Sequence, residues 1–346
     1  MNIPKENNFN FLRFMAASLV LFSHSYSLLF AETINEPLAK NTEIGTFGVL
    51  AVYIFFVISG YLITSSFIRK PNLKNFLINR ILRIIPALFI VVLISAIILG
   101  ALITKLSFLE YFSDYRTYLY IVRNILLYPV TYILPGVFEN NIYPNAVNGS
   151  LWTLRLEFTL YLMVAILGFL KLLNNKFHIF IMLLIAIVFV FLLDNYSSFV
   201  QSLVGDNIYN MMLLLFKNGT FFIMGMIFYI MRDKIPFSNK LAIFALLILL
   251  IFCSTSFTYY ILIFTLPYLV LYLAVVSNKV MLSFNKYGDF SYGIYIYAFP
   301  IQQLYIYLFY DLLNLVSFFL LSFITTLFFA VFSWYIIEKP ALSYKK

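Results

Sequence analysis

Ten apolar runs divide the chain, at 8–30, 46–68, 84–103, 150–170, 177–194, 208–231, 240–256, 258–276, 288–310 and 313–337, and they limit its possible folds more than any other feature. A helix needs about 20 predominantly apolar residues to cross a bilayer. The runs therefore predict an all-α, polytopic membrane protein of about ten transmembrane helices. The weakest boundary lies between the seventh and eighth runs, where STSFTYY must make a tight turn. Charged residues are only 11% of the chain, against roughly 25% in a soluble domain. Aromatic residues reach 20%, enough to furnish belts at both membrane interfaces.

The formal charge of +9 fits the membrane reading and does not require nucleic acid. With the N-terminus in the cytoplasm, the inside segments hold sixteen basic residues: Lys5, Arg69, Lys70, Lys74, Arg80, Arg83, Lys171, Lys176, Arg232, Lys234, Lys240, Lys279, Lys286, Lys339, Lys345 and Lys346. The outside segments hold four, Lys40, Lys105, Arg116 and Arg123. Positive loops stay inside, so both termini are expected in the cytoplasm and the number of crossings is even. Cys253, the one cysteine, rules out a disulfide within the chain and a thiolate metal cluster. The first run is too long for a signal peptide and no clear small-x-small cleavage site follows it.

That first run, NFNFLRFMAASLVLFSHSYSLLF, carries Arg13 and His24. Eleven residues of helix turn about 1,100° and rise about 16 Å, so the two side chains share a face. Ionisable groups inside a membrane are costly and are usually functional. Imidazole also exchanges protons near neutral pH. The bland alternative makes Arg13 an interfacial anchor and His24 a satisfied interior group.

Five further stretches carry chemistry. In NLKNFLINRILRIIP, Arg80 and Arg83 lie three apart on one helical face, suited to clamp phosphates or to anchor the helix at the inner surface. Pro86 is expected to kink the chain there. In YIFFVISGYLITSSF, Gly60 lets a helix or a thin ligand approach the backbone, and Ser59 adds a hydroxyl. In NGSLWTLRLEFTLYL, Glu157 is seven residues past Ser150, about 10 Å below the outer end if the helix starts at the surface. His24 is six residues before Phe30, about 9 Å below the same surface. The two are therefore expected to meet, with the carboxylate orienting the imidazole. Tyr161 shares Glu157's face, and Arg155 points about 200° away. The alternative is an ion pair of Glu157 with Arg13 or Arg155. In FSYGIYIYAFPIQQ, Tyr292 and Tyr295 are three apart, and WYIIEKPAL closes the last run with Glu338, Lys339 and a helix-stopping Pro340.

Arg13 and His24, FFVISGYLI, RILRIIP, NGSLWTLRLEF, SYGIYIYAFPIQ and IIEKP occur in this order over nearly the whole length. The chain thereby resembles the acyltransferase-3 family of integral membrane acyltransferases. Two departures stand out. Many members have proline at the place of Arg155, and many have histidine at the place of Ala298. A second catalytic imidazole is therefore absent here, and more weight falls on His24. Some members carry a C-terminal esterase-like domain, for which the nine residues after Ile337 leave no room.

The resemblance implies one membrane domain over 1–346 with an extracytoplasmic loop at 104–149, in a bacterial cytoplasmic membrane. It implies transfer of an acyl group, most often acetyl, from cytoplasmic acyl-CoA to a glycan or lipid-linked saccharide hydroxyl, without a metal. His24 is expected as general base or transient acyl carrier, with Glu157 and Arg13 in the catalytic set. Arg80, Arg83, Ser59 and Gly60 are expected to bind the donor. Asn148, Ser150, Trp152, Tyr161, Tyr292 and Tyr295 are expected to line the acceptor side. The same intramembrane Arg, His and Glu also suit a proton-coupled carrier, although no inverted repeat of hydropathy is visible. The loop is read as an interfacial helix within 107–128 followed by a Pro-, Gly- and Asn-rich segment.

Overall fold

The computed structural model of the protein describes residues 7–33, 35–276 and 279–345. Lys5 and Lys346 of the charge count lie outside the described residues. Among those described, the only β pairing is an isolated bridge between Ile133 and Ala146, and the rest of the regular structure is helical. The principal helices are α1 (Phe9–Phe30), α2 (Phe47–Arg69), α3 (Leu73–Leu93), α4 (Trp152–Phe169), α5 (Lys176–Asn195), α6 (Asp206–Ile230), α7 (Asn239–Phe252), α8 (Thr258–Val275), α9 (Ser291–Phe309) and α10 (Leu315–Ser333). Each falls on one of the ten apolar runs.

Eight of the ten positions are long and apolar enough to cross a membrane. The other two have separate reasons for falling short. Helix α7 has only 14 residues. Helix α9 is long enough but is rich in tyrosine and contains Gln302 and Gln303. Both glutamine amide groups donate inside the protein. Gln302 Nε2 donates to Leu21 O at 3.0 Å, and Gln303 Nε2 donates to Ala146 O at 2.7 Å. A helix whose polar side chains are satisfied by neighbours can occupy the bundle centre.

Helices α2 and α6 pack most closely. A Cβ on Gly60 would collide with the Phe222 carbonyl, and one on Gly225 with the Val57 carbonyl. Glycine at both places lets the two backbones meet, the usual device for close helix contact in membranes. Helices α5, α7 and α10 stand at the periphery, with large apolar side chains such as Leu184, Phe244 and Phe328 exposed. Such faces suit a hydrocarbon solvent.

Two expectations about helix ends are corrected. Pro86 does not separate a surface helix from a span. It lies inside α3, which continues through the π-helical turn Ile94–Leu99 to Ile103 as one 31-residue run. Pro340 does not stop the last helix either. It occupies the first turn of a short helix, Lys339–Ser343, where its missing N–H costs nothing.

The 104–149 segment forms two short helices, Phe108–Ser113 and Tyr115–Leu126, broken where Asp114 caps the second. Beyond a cis Tyr128–Pro129 bond the chain dips into the bundle. There Asn148 Nδ2 donates to Ile296 O at 2.9 Å and Tyr295 OH donates to Ser150 O at 3.0 Å. Tyr295 is four residues, about 6 Å, from the start of α9. Helix α4 therefore starts deep inside the protein and not at the surface. The end of the bundle holding this loop is called the loop end below, and the opposite one the basic end.

Candidate active site

At the basic end, α1 contributes Arg13 and α3 contributes Arg80 and Arg83. The turn before α9 supplies Asp289, whose Oδ2 accepts from Arg13 Nη1 at 2.8 Å and from Arg83 Nη2 at 2.6 Å. Ser291 holds the other oxygen through both its N–H and its hydroxyl. Arg83 Nη1 also lies 3.7 Å from Glu338 Oε2, and Ser333 donates to the other Glu338 oxygen at 3.1 Å. The Arg13, Arg83, Asp289 and Glu338 side chains are all largely shielded from solvent. Desolvated charges of this kind persist only when paired. Arg80 is placed differently. Its guanidinium lies over the rings of Phe76 and Tyr161, 5.6 and 5.8 Å from their centroids, and its Nε has no acceptor.

One turn deeper is Glu157. Ser59 Oγ donates to its Oε1 at 3.0 Å, and Tyr161 OH donates to the same oxygen. Tyr292 donates to Ile84 O at 2.8 Å and turns its ring toward Arg83, 5.7 Å away. Toward the loop end stands His24. The edge-on ring of Phe299 is 5.2 Å from the imidazole, and the buried Nδ1 has no hydrogen-bond partner.

The expected hydrogen bond between His24 and Glu157 is not formed. The depth count placed Ser150 at the outer surface. Ser150 is instead buried at the level of Tyr295, so Glu157 sits nearer the basic end than His24 does. No ion pair joins Glu157 to Arg13 or Arg155 among the described residues. Arg155 lies over the Tyr128 ring at 5.9 Å. Gly60 is also taken up by helix packing, so the Phe222 carbonyl fills the space expected for a ligand.

The remaining expected residues divide between two cavities. Ser59, Glu157, Tyr292 and Tyr295 line a central one together with Arg13 and Arg83. His24, Trp152 and Tyr295 line one toward the loop end, with Ser23, Ser27 and Lys217. Asn148 and Ser150 are buried and hold α4 against α9. Lys217 pairs with Asp194 at 2.9 Å. A third cavity at the basic end is lined by Arg13, Ser59, Arg80, Arg83, Tyr161 and Asp289.

Sequence reading missed Asp289 as the counter-ion. The signal was present: an arginine inside the first run demands a buried carboxylate, and GDFSYG places one at the mouth of the ninth run. It also missed Glu36. This carboxylate is fully buried beside His24's helix, accepting from Ser23 Oγ at 2.8 Å and from the Phe47 N–H, and it ties the α1–α2 connection to the site.

The acyltransferase domain model of the acyltransferase-3 family matches residues 6–335. The chain belongs to that family. This acyltransferase is 32% identical to an O-acetyl transferase of Shigella phage Sf6, over 98% of its own length and 97% of the relative's. It is also 34% identical to nodulation protein 10 of Rhizobium leguminosarum bv. viciae, over 47% of its own length and 44% of that protein's. No solved structure matches the acyltransferase.

Proposed function

We propose that the protein is a membrane O-acetyltransferase that moves an acetyl group from cytoplasmic acetyl-CoA to a hydroxyl of an exported or cell-surface glycan. The reading adds α7 and α9 to the eight qualifying helices, giving ten crossings of a bacterial cytoplasmic membrane within one domain and placing the basic end inside. The name of the phage relative supports O-acetyl transfer.

The observation that carries the reading is the sharing of walls between the three cavities. Arg13, Ser59 and Arg83 line both the basic-end and the central cavities. Val52 and Tyr295 line both the central cavity and the one holding His24. A thin pantetheine arm anchored among the arginines has a route past Ser59 and Tyr295 toward the imidazole. His24 takes the proton of the acceptor hydroxyl as that oxygen attacks the thioester carbonyl. The carbon–sulfur bond then breaks, and the coenzyme A thiolate leaves toward the cytoplasm. Trp152 offers an apolar face to the sugar.

The test is turnover by purified protein in lipid nanodiscs. Acetyl-CoA should release free thiol only when a glycan acceptor is present, and the acceptor should gain acetyl. A carrier would move saccharide across a sealed vesicle without consuming acetyl-CoA.

A further inference from the structure

Four cations line the basic-end cavity, Arg13, Arg80, Arg83 and Lys345, against a single lining carboxylate, Asp289. They are not equivalent. Asp289 engages both Arg13 and Arg83, and Glu338 stands behind Arg83. A phosphate approaching either arginine must compete with a carboxylate already in place. Arg80 and Lys345 form no ion pair with a carboxylate among the described residues. The aromatic faces under Arg80 fix its plane and leave its edge N–H groups free to donate. Lys345 lines the same cavity. The π-helical turn Trp334–Glu338 and the short helix Lys339–Ser343 pack the segment after α10 against α3, which brings Leu342 and Lys345 to the cavity lining.

We propose that Arg80 and Lys345 together bind the phosphates of the acyl-CoA donor, while Arg13 and Arg83 are positioning residues locked by Asp289. This rests on the acetyl-CoA reading above. Two unpaired cations in one cavity repel each other when it is empty and are relieved by a polyanion. The Lys345 amine lines the cavity beside these guanidiniums. Desolvation first, then the nearby Arg80, Arg83 and Arg13 guanidiniums, hold its pKa down to about 8, with Asp289 opposing them. As pH rises through 8, Lys345 loses its charge, and donor affinity should fall with it.

The experiment measures donor KM and kcat for Lys345→Ala, Lys345→Arg and Arg80→Ala in nanodiscs, with acetyl-CoA and with S-acetylpantetheine, which carries no nucleotide phosphate. Lys345→Ala and Arg80→Ala should each raise the acetyl-CoA KM about tenfold or more. The acceptor KM should stay within twofold, and S-acetylpantetheine should not distinguish these variants from wild type. Lys345→Arg should restore the acetyl-CoA KM and abolish its rise between pH 7.5 and 9. An acetyl-CoA KM unchanged in Lys345→Ala, or an equal loss with both donors, overturns the proposal. Wild-type protein that turns over neither donor overturns the acetyltransferase reading instead.

Discussion

Ser59 of α2 donates its hydroxyl to the Glu157 carboxylate of α4 at 3.0 Å, a contact that fixes the narrow middle of the cavity chain. Tyr161 bonds the same oxygen and also lies under Arg80, so Glu157 reaches the basic-end cavity through one ring. Glu157 is therefore expected to act on the donor side. Glu157→Gln should raise the acetyl-CoA KM and leave the pH dependence of kcat unmoved. A hydrogen bond to a charged group contributes about 1.5–3 kcal/mol, an effect of roughly tenfold to a hundredfold. Combining it with Ser59→Ala should cost clearly less than the sum of the two, because contacting residues are not additive. A shifted kcat–pH profile in Glu157→Gln would restore the imidazole-orienting role.

His24 has no carboxylate to lean on, so its loss should not be reproduced by removing any one acid. General base catalysis contributes about 10²–10⁴-fold. His24→Ala should lower kcat by that much, while size-exclusion behaviour in detergent and the acetyl-CoA Kd stay near wild type. Near-normal turnover would exclude the imidazole from proton transfer.

Asp289 compensates two guanidiniums at once. Breaking a buried ion pair by removing one partner costs about 3–5 kcal/mol, since a charge is left without compensation. Asp289→Asn should therefore lower thermal stability in detergent sharply, and Asp289→Glu should recover part of it. Equal melting temperatures for Asp289→Asn and wild type would mean that solvent already screens Arg13 and Arg83.

The orientation is open to direct labelling. A reporter fused after Lys346 should be cytoplasmic. Within the 137–145 stretch, Val137, Phe138 and Asn141 are buried, so a tag belongs at the exposed Glu139–Asn140. That tag should be reached by an impermeant reagent from outside. Labelling only after permeabilisation would invert the topology.

The principal helices were legible because hydropathy dictates them: each apolar run holds one, and eight of these are long and apolar enough to cross a membrane. Arg13 and His24 were placed on one helix by simple counting. The pairing of His24 with Glu157 failed because counting assumes that a helix starts at the membrane surface. Whether it does depends on contacts such as that from Tyr295 to Ser150, made 145 residues apart. Gly60 failed for a related reason. A glycine announces a close approach without saying what approaches, and here it is the α6 backbone. Asp289 and Lys345 were overlooked because each looks like an ordinary loop charge until the chain folds back.

The shared carboxylate also sets an order of assembly. Arg13 and Arg83 precede Asp289 by 276 and 206 residues. During synthesis both guanidiniums emerge long before their counter-ion has been translated. The early helices must wait with uncompensated charge, and the cluster at the basic end can close only when α9 arrives. A nascent chain halted before that helix should therefore be a target for membrane quality control, however well its first eight helices have inserted.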